Sequence, residues 1–195
     1  MSACETPPAS FDDHSGPWTE VEFLALDAAS HRIELLDGSL QVTPRPNAPH
    51  QQISVRLSAG LLPAADAAEF WILTDMNVRL STGTIMRPDL VVARGPRVVT
   101  VVEASDVLLT CEIASPSNTT TDRVLKKQLY AAARIGWYLL IEPEMTRYES
   151  AALHLFRPRA TGYETYAVAE GDQTLTLDEP FRVAINGNSL LGLQR

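Results

Sequence analysis

Cysteine, lysine and long apolar runs are scarce in this sequence, and each scarcity removes a class of protein. The 195 residues hold two cysteines, Cys4 and Cys111, which form neither a disulfide framework nor a zinc-binding spacing. Cys111 falls in an apolar segment, where a free thiol packs as a small hydrophobe. Such cysteine usage fits a reducing, cytoplasmic setting. No stretch reaches the ~18 consecutive apolar residues read as a membrane span, and the N-terminus has no apolar core of a secretory signal. The Asn118-Thr119-Thr120 sequon is then expected to be idle. Several catalytic signatures are also missing: no G-x-S-x-G elbow, no H-E-x-x-H, no Gly-rich phosphate loop and no C-x-x-C. Positive charge is in deficit, with a net charge of −8. That balance argues against a protein that coats nucleic acid or a membrane surface, while leaving room for a local basic patch. Of the 16 basic residues only Lys126 and Lys127 are lysine. Where arginine serves almost everywhere, a lysine marks a position suited to a compact point charge.

What remains is ordinary globular material, with 45% hydrophobic and 21% charged residues. The length suits one domain with a sizeable core. Residues 1–17 combine Pro7, Pro8 and Gly16 with little to bury and read as a disordered lead-in, leaving 18–195 as a single domain.

The chain is organised around Val107 to Pro143. An apolar run carrying one acid, Glu112, is followed by the polar turn Ser115-Pro116-Ser117-Asn118, a helix-length segment and a second apolar run. A carboxylate inside a buried strand costs several kcal/mol unless it is paired, hydrogen-bonded or bound to a metal. The helix offers a partner: Asp122, Lys126 and Tyr130 lie at i, i+4 and i+8 along one face, bordering an apolar stripe of Val124, Leu125, Leu129 and Ala132.

Elsewhere, Thr19 and Glu22 match a capping box and predict a first helix ending near Ala29. Arg32 to Leu36, Asp37-Gly38 and Ser39 to Val42 read as a hairpin, with Glu34 facing away from Ile33 and Leu35. His50 to Leu62 repeats Ile53, Leu57 and Leu61 at helical spacing and is expected to stop near Pro63. Strands are expected at Phe70–Thr74, Asn77–Leu80 and Asp89–Ala93, with Arg97–Ser105 open between strand, helix and irregular structure. Beyond Pro143, alternating segments at Ala152–Phe156, Tyr163–Val168, Leu175–Leu177 and Phe181–Ile185 read as an antiparallel flank extending the sheet, before a turn or short helix at Ser189–Leu193.

Glu34, Asp89 and Glu112, with one helical lysine, form a coherent chemical set. Carboxylates converging at a sheet edge repel one another unless a cation sits between them, and hard oxygen ligands select Mg²⁺ or Mn²⁺ over zinc. Such an ion with an adjacent ammonium suits phosphodiester hydrolysis. Each residue also has a structural alternative. Glu112 pairs with Arg87 or Lys126; Asp89 caps the turn after Pro88; Glu34 lies on the exposed face of a hairpin; Lys126 is the i+4 partner of Asp122. His31 and His50 read as surface or capping residues rather than ligands.

Six segments occur in a telling order: Arg32-Ile33-Glu34-Leu35-Leu36-Asp37-Gly38, His50-Gln51-Gln52-Ile53, Arg87-Pro88-Asp89-Leu90, Glu112-Ile113-Ala114-Ser115-Pro116-Ser117, Asp122 with Lys126 and Tyr130, and Trp137 to Pro143. Together they resemble the Uma-two-type endonucleases, a branch of the PD-(D/E)xK restriction-endonuclease-like superfamily, over roughly residues 18–195. The resemblance implies an α/β (α+β) fold, a mixed central sheet flanked by helices. It makes Asp89 and Glu112 the metal-binding acids and Glu34 an auxiliary acid near the first strand. In many relatives the lysine lies two residues after the second acid; here Ala114 stands there, and Lys126 on the helix takes that role. Ser115, Asp122 and Tyr130 match positions expected to support the acids from behind. The implied activity is Mg²⁺- or Mn²⁺-dependent endonucleolytic hydrolysis of DNA, compatible with a homodimer because a duplex has two strands to cut. The rivals are a nuclease-fold binding or regulatory module without catalysis and a hydrolase of a smaller phosphoester. The acidic balance is the main objection to a DNA cutter, since duplex affinity rests on clustered cations. Clustering of Arg45, Arg56, Arg123, Lys127 and Arg134 near the acids would answer it.

Overall fold

The computed structural model describes residues 14–26, 32–96, 98–115 and 122–192, with the side chains of 122 and 123 left aside. Most of the lead-in, His31, the sequon and the turn beyond Ser115 lie outside the described residues.

Helix α1 (Glu20–Leu24) starts with the expected capping box, Thr19 and Glu22 exchanging bonds with each other's backbone, but it closes at Ala25 rather than near Ala29. Strands β1 (Arg32–Leu36) and β2 (Ser39–Thr43) form the hairpin. Its two-residue turn has Asp37 at φ 47° and Gly38 at φ 77°, the left-handed pair that matches strand twist. Helix α2 (Ala48–Ala67) is capped by the Asn47 side chain and runs straight through Pro63. The expected stop fails because Leu61 and Ala65, on either side of the proline, are both buried against the sheet. Packing thus outweighs the proline's cost of about 3 kcal/mol within a helix. Pro63 itself is exposed, so Pro63→Ala is expected to raise stability by about 1–3 kcal/mol. Chemical denaturation checks this, and an unchanged midpoint would show that the helix is already distorted there.

The strands β3 (Trp71–Thr74), β4 (Asn77–Ser81), β5 (Thr84–Met86), β6 (Leu90–Ala93), β7 (Val101–Glu103), β8 (Val107–Ile113), β9 (Trp137–Pro143), β10 (Ala151–Arg159), β11 (Gly162–Glu170), β12 (Thr174–Leu177) and β13 (Val183–Asn186) complete the β structure. One sheet has the order β2-β1-β5-β4-β7 and a second has β11-β10-β9-β8-β6-β3. The second is mixed, with β8 and β9 parallel and the other pairs antiparallel. β10 and β11 extend it as expected, whereas β12 and β13 pair only with each other as a separate ribbon. β5 was not foreseen, and the open segment near residue 100 resolves into β7 followed by a 3-10 turn at Ala104–Asp106. A short helix, α4 (Gly187–Leu191), lies next to the last strand.

Pleating sorts the side chains into layers. In the six-stranded sheet Leu90, Val92, Leu109, Cys111, Ile113, Leu139 and Ile141 face α2 and the C-terminal ribbon. The alternate residues Val91, Ala93, Tyr138 and Leu140 face the other way, packing with Val78 and Met86 of the five-stranded sheet. On β1, Ile33 and Leu35 join Phe23 of α1 on the outer face. Arg32, Glu34, Asp89 and Glu112 have the opposite parity, so the pleat aims all four into the layer between the sheets.

Candidate functional site

Between β8 and β9 a widened π turn, Asp122–Lys126, leads into helix α3 (Lys127–Ala132). The face expected to offer Glu112 a partner turns inward, while the apolar stripe beside it divides, with Leu125 and Leu129 half-buried. Lys126 and Tyr130 are buried, while Val124 is 55% exposed and Ala132 is also exposed. The inward turn follows from what the helix covers. It lies over the face of β8 that carries Glu112, so the residues that can pair with a carboxylate turn inward.

The Lys126 ammonium lies 3.1 Å from Glu34 Oε1 and 3.1 Å from Glu112 Oε1. Tyr130 donates its hydroxyl to the same Glu112 oxygen at 2.5 Å. Glu34 Oε1 also accepts the Arg87 backbone N–H at 2.8 Å. Asp89 stands just before β6. Its Oδ2 accepts the Ile113 N–H at 2.7 Å and the His50 Nε2 at 3.2 Å, and its Oδ1 pairs with Arg32 Nη1. Arg32 Nη2 lies 4.0 Å from Glu112 Oε2, so one guanidinium spans both acids. Asp89 and Arg32 form part of the wall of an open pocket of about 370 Å³, with Arg45, His50, Asp75 and Arg87.

Glu34, Asp89, Glu112 and Lys126 are therefore brought together, with Tyr130 behind Glu112. Ser115 is half-buried at the end of β8, and the Asp122 side chain lies outside the described residues. Glu34 is 3% exposed, which removes the exposed-hairpin alternative. Arg87, the alternative partner of Glu112, instead binds Asp75 at 2.8 Å.

Two members were missed. His50 is not on the surface; it is buried and touches Asp89. Its signal was present in the spacing, since His50, Ile53 and Leu57 share one helical stripe. Arg32 lies two residues before Glu34 on one strand, so an inward Glu34 requires an inward Arg32.

The charges do not balance evenly. Burial pushes Asp89 upward, but Arg32, His50 and Lys126 together hold it well below the ordinary aspartate range. For Glu112, burial outweighs the pull of Lys126, and with the neighbouring Asp89 charge it pushes the carboxyl up to about 8. Burial and the adjacent carboxylates likewise push the Tyr130 hydroxyl well up, so it stays a donor. A raised Glu112 gives the folded state extra protons between the ordinary glutamate value and about 8. Its contribution to stability is then complete below pH ~4.5 and is lost as pH rises through about 8. Metal-free protein is expected to melt progressively lower across that window, and Glu112→Gln to flatten the trend. Thermal melts in chelator against pH check this; parallel curves for the two proteins would contradict it.

Among the described residues no three acidic, histidine or cysteine side chains stand close enough to enclose an ion unaided. That does not disqualify magnesium, which keeps several waters and is commonly held by one or two carboxylates plus substrate phosphate. The donors here are hard oxygens on two acids already bridged by a cation. Moreover, Arg32 Nε and Nη2 are buried without a hydrogen-bond partner, so the guanidinium lends charge without using its full fork of donors. In charge and donor type the residues fit a small divalent ion.

A family profile described as "Putative restriction endonuclease", Uma2 (Uma-two), matches residues 20–190. The chain belongs to the Uma2 family. No curated protein matches it. Among solved structures, one described as a "putative nuclease belonging to DUF820" from Anabaena variabilis superposes with a TM-score of 0.66 at 19% identity, covering 90% of this chain and 97% of the other. At that identity the likeness concerns the fold, a mixed α/β arrangement with a restriction-endonuclease-like core. By family and fold, this Uma2 member is nuclease-like. No helix among the described residues is long and apolar enough to cross a membrane.

Proposed function

We propose that this chain is a divalent-metal-dependent endonuclease hydrolysing DNA phosphodiester bonds, with Asp89 and Glu112 as ligands of Mg²⁺ or Mn²⁺ and Glu34 as an auxiliary ligand. The observation that carries the reading is the buried Lys126 ammonium, 3.1 Å from both Glu34 and Glu112, in the same layer as Asp89 at an open pocket. The ion would supply Lewis acidity at a phosphate oxygen and a lower pKa for a bound water.

The protein's own groups do the rest. Lys126 neutralises Glu34 and Glu112 and orients the attacking water, offsetting negative charge that grows on the phosphoryl oxygens. Tyr130 fixes one Glu112 oxygen, which leaves the other turned toward the Arg32 side of the site. His50 and the Ile113 N–H hold Asp89 in place. Arg45 and Arg87 line the pocket where a phosphate group would approach. The acid before β6, the acid within β8 and the lysine on the following helix thus divide the work. A homodimer would present two such sites to the two strands of a duplex.

One observation favours a second reading. Arg32 already bridges Asp89 and Glu112, as it would in a nuclease-fold binding module whose acids serve only structure. The two readings separate in an assay of supercoiled plasmid and single-stranded DNA with Mg²⁺ or Mn²⁺, run beside Glu112→Gln and Lys126→Met. Cleavage by the wild type and not by the folded variants supports the nuclease. Equal inertness together with no detectable metal binding supports the module.

A further inference from the structure

Lys126 is absorbed by the site, but its neighbour Lys127 is not. Consecutive helical residues point about 100° apart, so the two lysines leave α3 in different directions. Lys127 places its ammonium 3.7 Å above the Phe156 ring, on the side of the helix facing β10 and β11. There it lines a groove of about 1230 Å³, together with Gln128, Arg134, Arg159, Thr161 and Tyr163. Three cations and, among the described residues, no carboxylate line this groove, in a chain whose net charge is −8. Neither Lys127 nor Arg134 pairs with an acid among the described residues. Arg159 shares Glu164 with Arg157, so one carboxylate answers two guanidiniums.

This concentration of cations matters more because the chain as a whole is acidic. Clustered like charges on a compact surface persist where a polyanion repays their mutual repulsion. Of the five cations singled out in the sequence, Lys127 and Arg134 meet here, joined by Arg159, whereas Arg45 lines the pocket beside Asp89, Arg56 lies beside α4 and the Arg123 side chain is outside the described residues. The groove and the acids are tied by a run of aromatic contacts. Phe156 stacks on Tyr138 at 5.6 Å between centroids, Tyr138 meets Tyr130 at 5.6 Å, and Tyr130 bonds Glu112. A single helix, about 10 Å across with its side chains, therefore carries the site on one side and the groove on another.

We propose that this groove seats the sugar-phosphate backbone of duplex DNA alongside the scissile bond, with Lys127, Arg134 and Arg159 as phosphate contacts; this rests on the nuclease reading above. A duplex fits better than a single strand because single-strand sites offer free aromatic faces for base stacking. The aromatic side chain in this lining, Tyr163, is instead stacked on Tyr138 at 6.0 Å and donates its hydroxyl to Ile135 O at 2.7 Å. Exposed Gln128 and Thr161 add neutral hydrogen-bonding groups suited to phosphate and sugar oxygens. Contacts of this kind position a duplex without reading its sequence.

The test is fluorescence anisotropy of a short labelled duplex, with Ca²⁺ as the divalent ion, over a salt series. The triple variant Lys127→Gln, Arg134→Asn, Arg159→Gln alters half-exposed or exposed side chains, and asparagine suits the left-handed backbone at Arg134, φ 59°. It is expected to bind at least about tenfold more weakly, with the slope of log affinity against log salt reduced by about 2–3. Arg182→Gln, an exposed site paired with Asp178, serves as the control and should bind like the wild type. Mn²⁺-induced thermal shift is read in parallel. Unchanged duplex affinity in the triple variant, or no duplex binding by the wild type, overturns the groove assignment. Groove-dependent binding without metal binding or cleavage would keep the groove and remove the nuclease reading. Metal binding and cleavage with groove-independent affinity would do the reverse.

Discussion

Glu112→Gln is expected to lower plasmid nicking by about three orders of magnitude or more, to the background of the assay. The substitution is nearly isosteric and removes only the charge. Its side-chain oxygen can still accept from Tyr130, which lies 2.5 Å from Glu112 Oε1. Burial pushes the Glu112 carboxyl up to about 8, so the metal-free fold at neutral pH already holds it largely protonated. Glutamine imitates that neutral form, and melting at pH 7 is expected to change by no more than a few degrees. Activity and stability therefore part company. On the proposed reading the loss would come through the ion, because a neutral amide is a poor ligand for a hard divalent cation competing with water. Wild-type nicking rates in a folded Glu112→Gln protein would sink the catalytic assignment of this residue.

How far this site was legible depends on which side of each element could be recognised as buried. The hairpin at Asp37-Gly38 was legible because its turn demands left-handed backbone at two successive residues. β8 and β9 were legible because both are long, largely apolar runs, as strands covered on both faces of a sheet are. The acids Asp89 and Glu112 stood out against that apolar background. Glu34 did not, because a half-polar hairpin reads the same whether its polar face meets water or a second sheet. The same ambiguity concealed Arg32 on the same strand face, whereas the face bearing Lys126 and Tyr130 was legible as the partner that a buried Glu112 needs. His50 was misread for a different reason. A histidine in the first turn of a helix is an ordinary surface residue, and only the position of Asp89, 39 residues away in sequence, gives it a partner. Local spacing puts His50 on the buried stripe with Ile53 and Leu57, but it carries no information about which group His50 meets there. Pro63 shows the converse, a strong local stop signal overridden by burial of Leu61 and Ala65.

Arg32→Met is expected to cost about 3–5 kcal/mol in metal-free buffer, because it removes the cation paired with the buried Asp89 carboxylate and leaves that charge without its main partner. For a chain of this size each kcal/mol corresponds to roughly 2–4 °C, so the melting temperature should fall by about 10 °C. The deficit also has a predicted pH dependence. Burial opposes ionisation of Asp89, and Arg32 is the main group that overcomes it. The stability Asp89 contributes is present above the ordinary aspartate value and is lost as pH falls toward its depressed value. The gap between wild type and variant should therefore be full at neutral pH and narrow in acid. Divalent metal should act in the opposite sense to the substitution. On the proposed reading, an ion held by Asp89 and Glu112 would compete in the wild type with the guanidinium for the same oxygens, and would meet no competitor in the variant. Mg²⁺ or Mn²⁺ should then raise the melting temperature of Arg32→Met by more than that of the wild type, through ordinary ligand linkage. A variant as stable as the wild type in chelator, with no greater response to metal, would mean that Arg32 does not occupy the place of the ion. The acids would then hold their geometry through Lys126, His50 and Tyr130 alone.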